Sequence, residues 1–201
     1  MSASPNRNFD RVELEATIRK LIELIGEDPE SIELKATPKR VAEMYEEILS
    51  GRNVDPADIL AETYEADHDE MVMVSGIRFS SMCEHHLLPF FGVAHVAYIP
   101  NLSGRIVGIS KLAKLVEALA MRLQVQERMT KEIAESIVAQ LKPQGVMVVV
   151  EAEHLCMAIR GVKSPGSKVV TSSVRGRFRK DPLTRSEALQ LIGRERGWGM
   201  P

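Results

Sequence analysis

The sequence predicts an α+β fold, built on a largely antiparallel sheet and preceded by a helical arm. Three observations carry this. Apolar residues recur at helical spacing in two segments before residue 50, composition shifts to β-prone runs at residue 71, and the rest reads strand, strand, helix, helix, strand, strand. Runs of strands bracketing paired helices favour an antiparallel sheet over the strict strand–helix alternation of a parallel one. The chain then divides into an N-terminal helical arm and linker, residues 1–70, and a main domain, residues 71–201.

Residues 1–9 are rich in Ser, Pro and Asn and read as frayed. The first helix places Leu14, Ile18, Leu21, Ile22 and Ile25 on one face, opened by Asp10 with Glu13 three residues later and closed by Gly26. The second begins with Thr37 as N-cap and Pro38 at its first position, and Val41, Met44, Tyr45, Ile48 and Leu49 keep its apolar face until Gly51. Residues 52–70 are polar, acidic and turn-rich, as befits a connection. MVMVSGIRFS and GVAHVAYIP read as two strands around a polar, histidine-rich turn from Ser80 to His86. Ser110 opens a third helix with Leu112, Leu115, Val116, Leu119 and Leu123 on one face, and Val125, Met129, Ile133, Ile137 and Leu141 mark a fourth. Lys142-Pro143-Gln144-Gly145 stops it. VMVVVEAEHLCMAIRG and SKVVTSSVRGRF return to strands, and DPLTRSEALQLIG closes with a short capped helix.

Composition narrows the function classes. With 201 residues, 44% of them hydrophobic, the chain is long enough to bury one core without disulfide staples. Its 26 Lys and Arg against 28 Asp and Glu exclude the global basic charge of a DNA-coating protein, so any phosphate binding must be local. No run of about 18 apolar residues occurs, and MSASPNRNFDRVELE lacks the charged head and apolar stretch of a secretory signal. The expectation is a cytoplasmic protein with neither a membrane nor a nucleic acid as partner. In that compartment thiols stay reduced, so the two cysteines point to metal binding or catalysis.

Three of the five histidines lie beside those cysteines, in Cys83-Glu84-His85-His86 and His154-Leu155-Cys156. Cys-x2-His spacing lets one turn offer a thiolate and an imidazole to one ion, and Cys156 completes three protein ligands of a zinc site. Three ligands leave a position for water. A closed structural site needs a fourth, which His85 or His154 would supply, and spacing does not separate these cases. The plainer alternative is two unrelated buried thiols. His95, inside a strand pattern, reads as structural and His68 as solvated.

Among the basic residues Arg40, Lys111, Lys114, Arg122, Arg128 and Arg160, the default is a solvated face. Arg40 and Lys111 stand out because each falls in the first turn of a helix, where free N–H groups favour phosphate. Glu127 is by default an exposed first-turn acid. Its alternative role is guanine recognition, since a carboxylate accepts from both N1–H and the 2-amino group. The Pro-Cys-x-x-Cys of zinc deaminases and the G-x-x-x-x-G-K-[ST] phosphate loop are both absent.

Five segments in order, Thr37-Pro38-Lys39-Arg40-Val41-Ala42-Glu43-Met44-Tyr45, Cys83-Glu84-His85-His86, Gly108-Ile109-Ser110-Lys111-Leu112, Gln124-Val125-Gln126-Glu127-Arg128-Met129-Thr130 and His154-Leu155-Cys156-Met157 with Arg160-Gly161, resemble GTP cyclohydrolase I. The similarity runs from about residue 11 to residue 192, and both cysteines with His86 indicate the zinc-dependent form. The resemblance implies a tunnelling fold, in which strand–helix–helix–strand units of several subunits close a barrel, and a homodecamer of two stacked pentamers with shared sites. It implies conversion of GTP and water to formate and 7,8-dihydroneopterin triphosphate, the entry to pterin and tetrahydrofolate biosynthesis. Zinc would be held by Cys83, His86 and Cys156. His85 and His154 match catalytic histidines, Glu127 and Gln126 the guanine-recognition positions, Ser110 a position near the ribose, and Arg40, Lys111 and Arg160 triphosphate ligands.

Two departures stand out. Lys114 occupies a position where some members carry a phosphate-touching arginine, so charge is kept and the bidentate fork is lost. Ala188 replaces a usual phenylalanine, which weakens an expected packing contact. Two rivals remain in view: a zinc-holding scaffold without turnover, expected to lose some of His85, His154 and Glu127, and a related enzyme for another pterin or deazapurine, expected to change the ligand set or the guanine reader. This sequence keeps all of these residues.

Overall fold

A computed structural model describes residues 9–195; the segment 1–8, expected to be frayed, lies outside them. The α+β expectation holds. Five strands form the main sheet in the order β5-β2-β3-β6-β7, with β2 (Val72–Cys83), β3 (Pro89–Ile99), β5 (Leu123–Gln124), β6 (Gly145–His154) and β7 (Lys168–Gly176). Its long pairings are antiparallel, and the two-residue β5 joins β2 in parallel.

The long helices α4 (Ile109–Ala120) and α5 (Gln126–Leu141) cover one face. Leu112, Leu115, Val116 and Leu119 from α4 and Met129, Ile133, Ile137 and Leu141 from α5 meet Phe90, Ala94, Val96 and Tyr98 of β3 and the even-numbered valines of β6 in one core. Each fully buried Leu, Ile or Met there contributes about 1.5–3 kcal/mol relative to exposure, an upper bound because unfolded chains already bury some surface. On the opposite face Ala97, Ile99, Met147 and Val149 pack beneath α7 (Arg177–Lys180) and α8 (Pro182–Glu195). Ala188 is completely buried there with Phe178 and Ile192. The small side chain therefore sits in a closed contact, not over a gap open to solvent.

The arm consists of α1 (Arg11–Leu24) and α2 (Thr37–Ile48). Asp10 caps α1 by accepting from the Glu13 N–H at 3.0 Å, as the sequence predicts. Ile22 and Ala42 are buried in the arm. A 3-10 turn, Ser50–Asn53, then docks the arm on α4. The Gly51 N–H donates to Met121 O at 3.0 Å, and a side chain at this position would put its Cβ 2.1 Å from Ala118 O, so only glycine allows the approach. Arg122 seals the contact from inside, its Nε donating to Gly51 O at 2.8 Å and its Nη2 to Val54 O at 2.6 Å. It is half-buried and structural, not part of a solvated face.

Residues 52–70 hold more structure than a connection. They contain α3 (Pro56–Ile59) and β1 (Thr63–Glu65), which pairs with β4 (Arg105–Val107). Other expected boundaries also shift for local reasons. Thr37 is not the N-cap of α2: residues 31–36 already turn helically, Ala36 holds the cap position, and the Thr37 N–H is bonded to Leu34 O. Gly108, not Ser110, caps α4. Leu123 leaves the α4 stripe, because the helix ends at Ala120 and Leu123 enters β5 with its side chain exposed.

The most consequential shift concerns 155–161, read as strand and folded as the one-turn helix α6 (Leu155–Ala158). Leu155, Met157 and Ile159 alternate with period two, yet Leu155 and Ile159 also fit a helical spacing of four. His95 is buried and structural as expected: a bulge between Val74 and Ile77 turns the Gly76 N–H onto its Nδ1 at 3.2 Å. No helix among the described residues is long and apolar enough to cross a membrane.

Candidate active site

β2 ends at Cys83, and the next five residues reverse the chain into β3. The Cys83 carbonyl accepts from the N–H groups of His86 at 3.4 Å and Leu87 at 2.9 Å, while the Cys83 N–H donates to Leu88 O. Leu87 takes the left-handed conformation this tight turn requires, with φ 50°. The Glu84 N–H ties the turn to Gln124 O at 3.0 Å. These bonds leave Cys83 Sγ 3.8 Å from His86 Nδ1.

From the far half of the chain, α6 brings Cys156 to the same place, and the ligand atoms of Cys83, His86 and Cys156 all lie within 4.8 Å of one another. A tetrahedral zinc with bonds of about 2.0–2.3 Å sets its ligands roughly 3.3–3.8 Å apart, so the group fits an ion of that size. Burial and the adjacent Cys83 sulfur both push the Cys156 thiol up. Two neighbouring thiolates repel, and a bound cation removes that penalty. Neither His85 nor His154 joins the group, so the structure forms three protein ligands rather than a closed set of four. Arg160 Nη2 stands 2.6 Å from His86 Nε2.

His85 projects into solvent, edge-on to His86, with ring centroids 6.2 Å apart. Its Nε2 lies 3.8 Å from Glu84 Oε1. The other Glu84 oxygen accepts from Arg128, and this bond holds the Glu84 carboxyl below the usual carboxylate range. Arg128 is itself fixed by Gln124 Oε1 and Leu123 O, both at 2.9 Å. Sequence reasoning left Arg128 on a solvated face and gave Glu84 no role. The adjacency of Glu84 to His85 was the available signal, but Arg128 joins it only through the β2–β5 pairing.

His154, the last residue of β6, lies flat on Phe90 of β3, with centroids 4.5 Å apart and planes 1° from parallel. The stack follows from register, since Phe90 and His154 are paired across the two strands. Burial pushes the His154 pKa down, opposed by the carboxylate of Glu127. Glu127 is exposed on the first turn of α5. Gln126, expected beside the guanine, is instead 1% exposed, with its amide bonded to Val150 O, Val169 O, Thr171 Oγ1 and the His154 ring.

The remaining expected residues do not join this group. Ser110 and Lys114 line a cleft of about 670 Å³ with Ile77 to Ser80 of β2. At about 3.3 Å per residue, this stretch lies roughly 10–20 Å along the strand from Cys83. Lys111 is in the first turn of α4, its Nζ 3.6 Å from Glu62. Arg40 is exposed on α2.

The sequence model of the GTP cyclohydrolase I family matches residues 14–193. This chain belongs to the GTP cyclohydrolase I family. Proteins named GTP cyclohydrolase 1 from Dehalococcoides mccartyi and Bacillus subtilis are 55% and 53% identical to it, over 92% and 94% of this chain and 97% and 99% of theirs. A third, from Carboxydothermus hydrogenoformans, is 54% identical over 92% of this chain and 96% of its own. As a member of the GTP cyclohydrolase I family the chain is an enzyme, and GTP is its substrate. A solved structure, an archaeosine synthase QueF-Like in the apo form, aligns with 53% of this chain and 93% of its own at 21% identity and a TM-score of 0.43, a likeness too slight to bear on fold or function.

Proposed function

We propose that the chain opens the imidazole ring of GTP at C8, releases formate and forms 7,8-dihydroneopterin triphosphate, with zinc held by Cys83, His86 and Cys156. The observation that carries this reading is the convergence of those three donors beside His85 and His154. Zinc held there would supply Lewis acidity and so activate water as a nucleophile at neutral pH. His85, exposed and flanked by the Glu84 carboxylate, protonates N7 as C8 is attacked. His154 carries protons through ring opening. Imidazole suits both tasks because its unperturbed pKa lies near 6.5. Purified enzyme incubated with GTP should yield formate and, after oxidation and dephosphorylation, a fluorescent neopterin; absence of both products overturns the reading.

Of the two residues expected at the base, Glu127 is the exposed one and takes the guanine N1–H and 2-amino groups. A site built to hydrogen-bond a group rejects analogues that lack it, because its own polar atoms are left unpaired. The enzyme should therefore prefer GTP to ITP, and Glu127→Ala should shrink that preference while weakening GTP use overall. An unchanged GTP/ITP ratio in steady-state kinetics would remove Glu127 from this role.

Arg40, Lys111, Lys114 and Arg160 bind the triphosphate, and Ser110 lies near the ribose. The place of Ser110 and Lys114 in a cleft that Cys83, His86 and Cys156 do not line supports sites shared between subunits, as do β5 and β7, the edge strands of the sheet among the described residues. The assembly we propose is a homodecamer of two pentamers closing a tunnelling-fold barrel, in the cytoplasm, with residues 1–70 as its arm and 71–201 as its catalytic body. Arg40→Ala and His85→Ala oligomers should each be nearly inactive, and subunits of the two mixed by co-refolding should regain activity. No recovery above the parents in well-mixed oligomers would place Arg40 within its own chain's site or away from substrate.

A further inference from the structure

Gln126 opens α5 with its side chain sealed inside the protein. One of its amide atoms lies 3.0 Å from Val150 O, 3.0 Å from Val169 O and 3.1 Å from Thr171 Oγ1. Backbone carbonyls only accept, so that atom is the NH2 group and the amide has a single orientation. The other atom, the carbonyl Oε1, is 2.8 Å from His154 Nε2. An amide oxygen also only accepts, so His154 Nε2 must carry a hydrogen. The Phe90 stack fixes the plane of the ring, and turning the ring over would present a C–H to Oε1. In neutral His154 the lone pair therefore belongs to Nδ1. Among the described residues no hydrogen bond occupies Nδ1, and no buried side-chain nitrogen lacks a partner, which leaves Nδ1 accessible.

We propose that Gln126 is a positioning residue for His154: its clamped amide oxygen orients the imidazole and holds it as the Nε2–H tautomer, with the lone pair on Nδ1, while Gln126 does not read the guanine base. The inference rests on the reading of His154 as a proton carrier. Donation runs from the ring Nε2–H to the amide oxygen and from the amide NH2 to the β6 and β7 carbonyls, which leaves the lone pair of the ring on Nδ1. Thr130 braces the same point, its Oγ1 donating to Gln126 O at 2.7 Å.

The test uses zinc-loaded enzyme and the variant Gln126→Met, which keeps length and loses the acceptor. Its kcat should fall at least about 10-fold, in line with the loss of partners that orient a working histidine. KM for GTP, the GTP/ITP ratio and zinc content should stay within about twofold of wild type. Adding Gln126→Met to His154→Ala should cost nothing further. A shifted GTP/ITP ratio with kcat intact would make Gln126 a base reader, and a further loss in the double variant would make its role structural; either overturns the proposal. A second measurement uses the unmodified side chain. In 15N-histidine spectra of the wild-type enzyme, the signal that vanishes in His154→Ala should report protonated Nε2 and bare Nδ1, and the opposite tautomer overturns the proposal. Full turnover in His154→Ala would instead remove His154 as proton carrier, and the same spectrum then decides the hold of Gln126 on the ring.

Discussion

Cys83→Ser and Cys156→Ser enzymes are expected to purify folded, with zinc falling from one per chain to near zero and turnover lost with it. Serine is nearly isosteric with cysteine, so the core beside Cys83 stays filled, but a neutral hydroxyl is a far poorer zinc ligand than a thiolate. The three donors come from β2, the turn after it and α6, and no fourth side chain among the described residues stands ready to replace a missing one. Folding should survive because serine nearly keeps the cysteine volume where Cys83 joins the α4–α5 core and Cys156 packs against it. Elemental analysis paired with circular dichroism checks both halves. Full zinc in both serine variants would sink the ligand assignment.

His85→Ala should show the opposite dissociation: zinc retained at one per chain and turnover lost by about 100-fold or more, the usual size of a positioned acid–base group. That factor corresponds to about 2.7 kcal/mol of transition-state stabilisation. Stability should change by no more than about 0.5 kcal/mol, because the side chain is exposed and its one close polar neighbour, Glu84, is already paired with Arg128. His86→Ala is the control, expected to lose zinc and activity together. Loss of zinc from His85→Ala would mean that the two adjacent histidines exchange roles. Alanine at 85 with wild-type turnover would end its part in catalysis.

Much of this enzyme is written locally. The apolar stripes of α4 up to Leu119 and of α5 from Met129, and the Asp10 cap, each depend on residues a few positions apart, and each folds as its spacing predicts. The cysteine-histidine pairs were legible for the same reason, because a Cys-x2-His turn is a local device. Where two periods coincide, as in Leu155-Cys156-Met157-Ala158-Ile159, local pattern cannot choose, and the choice fell to packing of that segment against β3. Arg122 and Arg128 escaped notice because a cation's partner is set by what lies across the fold: carbonyls of the 3-10 turn for one, Glu84 for the other.

The sequence by itself determined the α+β class, the order of the long elements, the family and the identity of three donors able to hold an ion. Tertiary structure alone decided which histidines stay out of that group, that Gln126 faces His154 instead of solvent, and that Ser110 and Lys114 line a cleft beside Ile77 to Ser80 of β2. The reason is one of range. Helical and strand periodicities act over a few residues, whereas the β3–β6 register that stacks His154 on Phe90, and the β6–β7 pairing that supplies carbonyls to Gln126, join segments far apart in the chain. Only the paired sheet fixes the direction in which each side chain points.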